Sequence, residues 1–370
     1  MSDTNISQRL YSLDALRGFD MFWIMGAEEI WHRWYKATES PVLGAIAKQF
    51  IHPDWHGFAA YDLIFPLFLF LAGVASPYSV GRALEGGESR GELVKRVVKR
   101  GLLLVLLGVV FNHGFSQLLP LSEVRFPSVL GRIGLAWMFA NLIYLYSGRR
   151  AQVAWCGGLL IGYWLLLKFT AAPGFAAGDL SMEGNIASYI DRLLIPGKLY
   201  LGIHDPEGLV STLPSISTGL LGILTGTFIQ HGAYSKDKKA AYMALAGVVL
   251  IALAQLWSLD FPINKNLWTS SFALQVGGFS LLLLALFYYI IDAKGYQRWA
   301  FFFKVIGMNS ILIYMSGVFI DWEYTTEATF GWLGPLLGPV AGPVVLVLCY
   351  LLIKWLFLKF LYDRKIFLRV

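Results

Sequence analysis

Charged side chains are scarce in this chain. Asp, Glu, Lys and Arg make up 15% of its 370 residues, whereas soluble domains contain roughly 25%. Such a small charged fraction cannot cover the water-facing surface of a soluble protein of this length, so lipid is predicted to surround most of the chain. The hydrophobic fraction of 56% and the mean hydropathy of +0.58 agree with that prediction.

Cysteines and export signals are also scarce. The two cysteines, Cys156 and Cys349, both lie inside apolar runs, which excludes a disulfide framework and favours small core residues. The first ten residues are polar and the first apolar run carries Asp14 and Arg17, so no cleavable signal peptide is expected. No repeat of fixed period and no low-complexity tract is present, so one membrane domain is predicted over residues 1–370.

The chain does contain a series of apolar runs of about 20 residues, the length that crosses a bilayer as an α-helix. Ten such runs are predicted as transmembrane helices, at about 13–31, 59–80, 101–119, 128–147, 152–171, 211–230, 240–258, 267–291, 303–320 and 337–360. The predicted fold class is therefore all-α, a polytopic bundle in the membrane.

Lys and Arg are concentrated in every second connection between these runs, as in residues 82–100 and 236–239. The positive-inside rule then places both termini in the cytoplasm, as expected for a multi-pass protein of a cell inner membrane. This asymmetry explains the net charge of +6 without a nucleic-acid partner. The outer connections include two long loops, at about 32–58 and 172–210, and loops of such length often cover a functional site.

A histidine-containing motif lies at the predicted outer end of the second span. It reads His52-Pro53-Asp54-Trp55-His56, and Asp62 follows within Tyr61-Asp62-Leu63-Ile64-Phe65-Pro66. Histidine suits proton transfer near neutral pH, and Asp62 is placed to orient an imidazole. The alternative is that both histidines are ordinary interfacial residues. A metal site of His52, Asp54 and His56, with or without His32, is weaker because the segment has a proline and no cysteine.

Further charges fall inside predicted spans, where charge is costly and tends to mark function. Asp14 and Arg17 are three residues apart and share one helix face, so they form either an intrahelical ion pair or a ligand contact. Arg132, within the fourth span, is expected to face a partner or a water-filled cavity.

Three polar clusters mark the ends of later spans. They comprise Asp205, Glu207, Ser211 and Thr212; Asn264, Asn266, Trp268, Thr269 and Ser270; and Asn309. Hydrogen-bonding groups beside an aromatic ring suit sugar and pantetheine ligands, whereas the alternative for the first two clusters is a capped helix start without chemistry. The first two clusters map to the same outer side as His52, in a topology set by Lys and Arg alone, which favours one shared site.

Six segments, in their order and spacing, resemble the heparan-α-glucosaminide N-acetyltransferase-like membrane acyltransferases. They are residues 12–18, 52–66, 125–134, 205–212, 264–270 and 307–310, and the resemblance covers most of the chain. It implies a multi-helix enzyme that takes acetyl-CoA from the cytosolic side and acetylates an amino sugar, such as a terminal glucosamine, on the far side.

The resemblance also implies site residues. The essential histidine of the family matches His52, with Trp55 and Asp62 in register. His56 stands where relatives more often have Asn. A second departure is that better-known members carry an Asn at the outer end of the first helix, where this chain has Glu28 and Glu29.

Acetyl transfer to an amine requires a deprotonated amine, a polarised thioester and close positioning. His52 is predicted as the base, and a covalent route through acetyl-His52 stays open. The predicted substrate-binding residues are Asp205, Glu207, Asn264, Asn266, Trp268, Glu28 and Glu29. Those predicted for acetyl-CoA are Asp14, Arg17, Arg132, Ser211, Thr212, Thr269, Ser270 and Asn309, with Arg96, Lys99 and Arg100 as candidates for its phosphates. Lipid and an amino sugar or glycan are the predicted partners, no metal is predicted, and a homodimer is left open.

Two other functions stay open from the sequence. A sugar transporter or permease also places polar residues near Gly- and Pro-interrupted helices, although the chain lacks repeated halves and its polar groups avoid the midplane. A non-catalytic membrane subunit, or an enzyme of changed chemistry, fits the missing Asn of the first helix.

Overall fold

A computed structural model describes residues 10–114 and 119–368. These residues form helices joined by turns and loops, and their β-structure is an isolated bridge between Arg125 and Gly197. The helices are α1 (Tyr11–Phe22), α2 (Glu29–Thr38), α3 (Pro41–Lys48), α4 (Ile64–Ser76), α5 (Arg82–Glu85), α6 (Arg90–His113), α7 (Val129–Tyr146), α8 (Arg149–Phe169), α9 (Ile186–Leu194), α10 (Thr212–Gln230), α11 (Lys236–Ser258), α12 (Ser270–Tyr288), α13 (Phe301–Met308), α14 (Ser310–Ser316), α15 (Trp322–Phe330) and α16 (Leu333–Asp363).

Seven helical segments in the described part of the chain are long and apolar enough to cross a membrane. They are Ala60–Glu85, Val129–Tyr146, Arg149–Phe169, Thr212–Gln230, Lys236–Ser258, Ser270–Ala293 and Leu333–Asp363. Each coincides with a predicted span, with ends that differ by a few residues. The prediction of an all-helical polytopic membrane protein is therefore confirmed.

The other three predicted spans are not among these seven: two are interrupted, and the third coincides only in part with a helix. The run at 13–31 is broken by a π-helical turn, Trp23–Ala27, in which Gly26 has a φ of 117°. The run at 303–320 is divided between α13 and α14 at Asn309. The run at 101–119 coincides with the C-terminal part of α6, and its residues 115–118 lie outside the described part. Length and composition alone therefore do not establish the predicted count of ten.

The two long predicted loops contain short helices that the apolar pattern did not reveal. α2 and α3 occupy much of residues 32–58, and Pro41 begins α3 where its missing N–H costs nothing. α9 lies within 172–210, and the side chain of its N-cap residue, Asn185, accepts a hydrogen bond from the Ser188 N–H at 2.7 Å. Both segments are too short and polar to register as spans.

The described residues divide into two compact units. The first unit comprises those of Met1–Pro53, Ala59–Ile64 and Leu286–Arg369, and the second those of Asp54–Phe58 and Phe65–Ala285. Within the first unit, α1 packs against α13 through Gly18 and Gly307, where an added Cβ would collide with the facing backbone. Such small residues allow close helix packing in a membrane, where lipid supplies little driving force.

Glycines also set the helix packing of the second unit. Gly73 of α4 faces Gly219 and Gly222 of α10, and a side chain at Gly73 or at Gly222 would collide with the backbone of the other helix. Gly101 of α6 similarly faces Gly134 of α7. These close contacts fix the scaffold that carries the polar side chains described next.

Candidate functional site

A histidine–aspartate pair stands at the start of the span Ala60–Glu85, within the first unit. Nδ1 of His52 lies 2.6 Å from Oδ1 of Asp62. The Asp62 side chain has no exposed surface, whereas that of His52 is 46% exposed. A buried carboxylate thus holds an imidazole that solvent or a ligand can reach.

The local backbone explains how the pair forms. Asp62 lies in a 3₁₀ turn, Ala60–Leu63, and its Oδ2 accepts the Ala59 N–H at 2.8 Å. The Gln49 carbonyl accepts the Tyr61 N–H at 3.0 Å, which closes the loop that carries His52. Pro66 then falls in the first turn of α4, where a proline is tolerated.

The geometry gives the two imidazole nitrogens different roles. A carboxylate at Nδ1 favours the tautomer with the proton on that atom, which leaves Nε2 as the basic nitrogen. The negative charge of Asp62 also stabilises the imidazolium that forms when Nε2 takes a proton. The geometry of the pair therefore suits general acid–base chemistry, and a catalytic role for His52 stays a prediction.

In the second unit, Arg125 brings Asp205 and Glu207 together. Its Nε and Nη2 donate to the two Asp205 oxygens at 2.8 and 2.7 Å, and Nη2 also donates to Glu207. The guanidinium lies 4.5 Å from the centroid of the Tyr200 ring. Burial alone would raise the pKa of Asp205, but the hydrogen bonds and charge of Arg125 outweigh it and lower that pKa. Both carboxylates predicted to bind the sugar already have a cationic partner.

A buried histidine and a second aspartate lie beside this network. His204 is hydrogen-bonded through Nδ1 to the Ser188 hydroxyl at 2.7 Å, and burial lowers its pKa to about 4. Asp191 accepts the backbone N–H groups of Leu209 and Val210 at 2.9 and 3.2 Å. Burial raises the pKa of Asp191 to about 6 against these hydrogen bonds. The contacts join α9 to the turn that begins α10.

Asn264 organises the turn before α12. Its Oδ1 accepts the Leu267 N–H at 2.8 Å, and its Nδ2 donates to Nδ1 of His56 at 3.2 Å. Because an amide nitrogen only donates, His56 accepts through an unprotonated nitrogen, and partial burial lowers its pKa. Asn266 is partly buried, and its backbone lies beside His204.

Trp268 lies inside the core of the second unit. It has no exposed surface and a φ of 49°, a left-handed conformation unusual for a bulky residue. Its ring packs at 5.1 Å from both the Phe65 ring and the guanidinium of Arg132. A stacking contact between Trp268 and a sugar would require this ring to leave the core.

Arg132 is buried and donates to the Gly208 carbonyl at 3.1 Å and to the Ser211 hydroxyl. The expectation that it faces a protein partner is met by these groups and by Trp268. The hydroxyls of Thr212 and Ser270 donate to backbone carbonyls at 3.0 and 2.7 Å, and the Thr269 hydroxyl does so at 2.9 Å. These donors therefore hold helix starts in place.

Three further predicted residues in the first unit have internal partners. Asn309 donates to the Ile366 carbonyl at 2.9 Å and accepts the Leu368 N–H at 3.0 Å, which fastens the C-terminal segment. Asp14 and Arg17 form an intrahelical pair with 3.3 Å between Oδ1 and Nη1. This pair is the structural alternative that their spacing predicts. A contact of any of the three with an acyl donor stays a prediction.

Comparison with known proteins gives the decisive observation on relationship. The family model described as the catalytic region of heparan-alpha-glucosaminide N-acetyltransferase matches residues 9–259, which include His52, Asp62, Arg125 and Asp205. The chain belongs to this family. The match leaves out Asn264, which follows the matched region.

Two curated relatives carry the name of the family. The human heparan-alpha-glucosaminide N-acetyltransferase is 29% identical over 365 residues, which cover 83% of this chain and 52% of the relative. The mouse protein of the same name is 30% identical over 323 residues, covering 72% of this chain and 48% of the relative. The chain therefore spans about half the length of these family members.

The sequence analysis did not assign a function to several polar residues of this family member. Lys354 is the first charged residue of α16, and a charge inside an apolar run was a signal. Tyr61 directly precedes Asp62, and its ring centroid lies 5.2 Å from that of His52. Arg125 lay in a quoted motif, but its partner Asp205 is 80 residues away and no local pattern predicts that pairing.

The polar side chains described above are acid–base and hydrogen-bonding groups. Within residues 10–114 and 119–368, His, Cys, Asp and Glu form no cluster of three that could hold a metal ion. The predicted metal alternative through His52, Asp54 and His56 therefore gains no support from the described residues. The groups that remain suit proton transfer and binding of a polar ligand.

Proposed function

We propose that the chain is a membrane acyltransferase that moves an acetyl group from acetyl-CoA to the amine of an amino sugar. The observation that carries the proposal is the 2.6 Å contact between His52 and the buried carboxylate of Asp62. Family membership supports the reaction class, because the matched region is described as the catalytic part of an N-acetyltransferase. The glucosaminide in the names of the relatives supports an amino sugar as acceptor.

In the proposed reaction, Nε2 of His52 accepts a proton from the acceptor amine. The free amine nitrogen then forms a bond to the thioester carbonyl carbon and the C–S bond breaks. The CoA sulfur leaves as a thiol with the second proton that the nitrogen loses, and His52 returns its own proton to water. Asp62 holds the imidazole and stabilises its charge without leaving the core. The alternative route through acetyl-His52 uses the same nitrogen as nucleophile, and ping-pong kinetics distinguish it from direct transfer.

The proposed arrangement across the membrane has ten spans and both termini in the cytoplasm of an inner-membrane protein. In this arrangement, three spans are added to the seven regular ones. They are α1 with its π-helical turn, α6, and the pair α13 and α14. Donor phosphates would be bound on the cytosolic side, where Arg96, Lys99 and Arg100 crowd α6. The acceptor would enter from the outer side. Lipid and a second copy of the chain stay predicted partners.

The residues of the second unit that were predicted to contact substrate are proposed to have different roles. Asn264, with its amide beside His56, and Asn266 are retained as candidates for ligand hydrogen bonds. Asp205 and Glu207, whose charges Arg125 already compensates, are proposed to act within the second unit by holding that arginine in place. Ser211, Thr212, Thr269 and Ser270 are proposed to hold the helix starts on which the site is built.

The experiment that tests the function is an incubation of purified protein with labelled acetyl-CoA and a panel of amino sugars. The expected result is an acetylated amino sugar identified by its mass, formed only in the presence of acetyl-CoA. Counterflow of labelled sugar through proteoliposomes without acetyl-CoA, together with no acetylated product, would instead support transport.

A further inference from the structure

A polar cavity of about 400 Å³ opens within the first unit, where the π-helical turn passes into α2 and faces α15 and α16. Its volume falls in the range of ligand-binding cavities, ~300–1,000 Å³. The cavity is lined by carboxylates, by the phenol of Tyr350 and by apolar side chains. The cavity is therefore large enough for a monosaccharide end group.

The walls carry an excess of negative charge. Glu28, Glu29, Glu323 and Glu327 line the cavity, and Arg33 is the cation among the lining residues. Arg33 is already paired with Glu29, at 3.3 Å between Nε and Oε2. Glu28 is partly buried, and its Oε2 is buried without a hydrogen-bond partner in the described part of the protein. Three carboxylates thus face a space that lacks an equal number of cations.

The nearest buried cation, Lys354, interacts electrostatically with Glu28 and Glu323 and offsets only part of this charge. Nζ of Lys354 donates to the Met25 carbonyl at 2.9 Å and to the Tyr350 hydroxyl at 2.5 Å. Lys354 itself is not among the residues that line the cavity. The carboxylates that line the cavity outnumber its cations, so a ligand that brings an N–H group with a positive charge is favoured there.

Tyr61 joins this cavity to the histidine–aspartate pair. Its hydroxyl lies 3.5 Å from Oε1 of Glu28, and its ring packs against the His52 ring. Glu28 is therefore one side chain removed from the imidazole, within the same unit. Glu28 also occupies the end of the first helix, where the sequence departs from better-known family members.

We propose that this cavity binds the acceptor through its ammonium group and that Glu28 is the residue that selects an amine-bearing sugar over a neutral one. The inference rests on the proposed function, because it takes the acceptor to be the sugar amine that His52 later deprotonates. Glu28 is a positioning and specificity residue: it holds the cationic form of the acceptor, and His52 removes the proton before the nitrogen attacks. Glu323 and Glu327 add negative charge on the opposite wall.

The test is calorimetric binding of glucosamine and glucose to the purified full-length protein without acetyl-CoA. The two sugars differ by one ammonium group in place of one hydroxyl. A charge-assisted hydrogen bond predicts that glucosamine binds about 10- to 100-fold more tightly than glucose. Glu28→Gln is expected to remove most of that preference, and Glu323→Gln to reduce it in the same direction. Equal affinities for the two sugars in the natural protein would overturn the inference.

Matched controls separate the possible outcomes. Glu39→Gln, an exposed carboxylate outside the cavity, is expected to keep the preference for glucosamine. An unchanged preference for glucosamine in a folded Glu28→Gln protein also overturns the inference. If Glu28→Gln does not fold, the preference measured for Glu323→Gln decides the test. Selective binding without any acetyl transfer in the natural protein would contradict the proposed function while supporting the cavity assignment.

Discussion

Nδ1 of His52 lies 2.6 Å from Oδ1 of Asp62, whose side chain has no exposed surface. A buried carboxylate is costly unless its oxygens are hydrogen-bonded, and here one oxygen meets the imidazole and the other meets the Ala59 N–H. The arrangement costs stability unless the imidazole stays in place, which ties the position of His52 to the fold.

The first prediction concerns the partner of the imidazole. Asp62→Asn keeps the shape of the side chain but removes the charge that favours the productive tautomer. We expect kcat for acetyl transfer to fall on the order of 10²–10⁴-fold, with a smaller change in the KM for the acceptor. Asp54→Asn, an exposed aspartate in the same loop, serves as the control and should keep its rate. A rate in Asp62→Asn equal to that of the control would disprove the role of the pair.

The second prediction concerns the Arg125 network. Arg125→Ala leaves the fully buried carboxylate of Asp205 without its cation, and breaking such a pair costs about 3–5 kcal/mol. Thermal unfolding should show a large drop in Tm. Lys198→Ala breaks an exposed pair with Glu123, at 3.6 Å, and should cost less than about 1 kcal/mol. Equal shifts of Tm in the two variants would contradict this account.

The third prediction is a pH dependence of stability that comes from His204. Its pKa is about 4 in the folded chain and 6.5 when unperturbed. As the pH falls from 6.5 towards 4, His204 becomes protonated in the unfolded chain but stays neutral in the folded chain. The free energy of unfolding therefore decreases over that pH range. The loss should reach about 2 kcal/mol at pH 5. His204→Phe should flatten the curve of Tm against pH between 7 and 5, and two parallel curves would refute the assignment.

The fourth prediction concerns helix packing. Gly73→Val places a side chain against the Gly219 carbonyl of α10, so overpacking should destabilise the protein by roughly 1–3 kcal/mol. Gly158 of α8 has open space around its Cβ position, which makes Gly158→Val the matched control. Tm in detergent should fall for Gly73→Val and change little for Gly158→Val. The reverse order would show that α4 and α10 do not pack this closely.

Apolar run length predicted most of the helices because crossing a bilayer sets a strict minimum for length and hydrophobicity. The runs at 13–31 and 303–320 contain helices, but their breaks at Gly26 and Asn309 were not foreseen. A π-helical turn or a kink depends on neighbouring helices, which a single run of sequence does not describe. The helices α9 and α15 were missed because they are short and only partly apolar.

The contact between His52 and Asp62 was within reach of the sequence because a short loop and one turn separate them. The burial of Trp268 was not, since it depends on a left-handed backbone conformation and on Arg132, which lies far away in sequence. The cavity beside Glu28 was also hidden, because its walls come from both ends of the chain. Local spacing reveals pairs within one turn or loop, whereas tertiary packing decides which polar groups are already satisfied.

The most direct test of the central claim is the initial rate of acetyl transfer from labelled acetyl-CoA to glucosamine by purified His52→Ala protein. The control is His231→Ala, an exposed histidine outside the site, and both variants are first checked for an unchanged Tm. The account predicts that His52→Ala forms no acetylated product above background while His231→Ala keeps the natural rate. Normal turnover by a folded His52→Ala protein would contradict it.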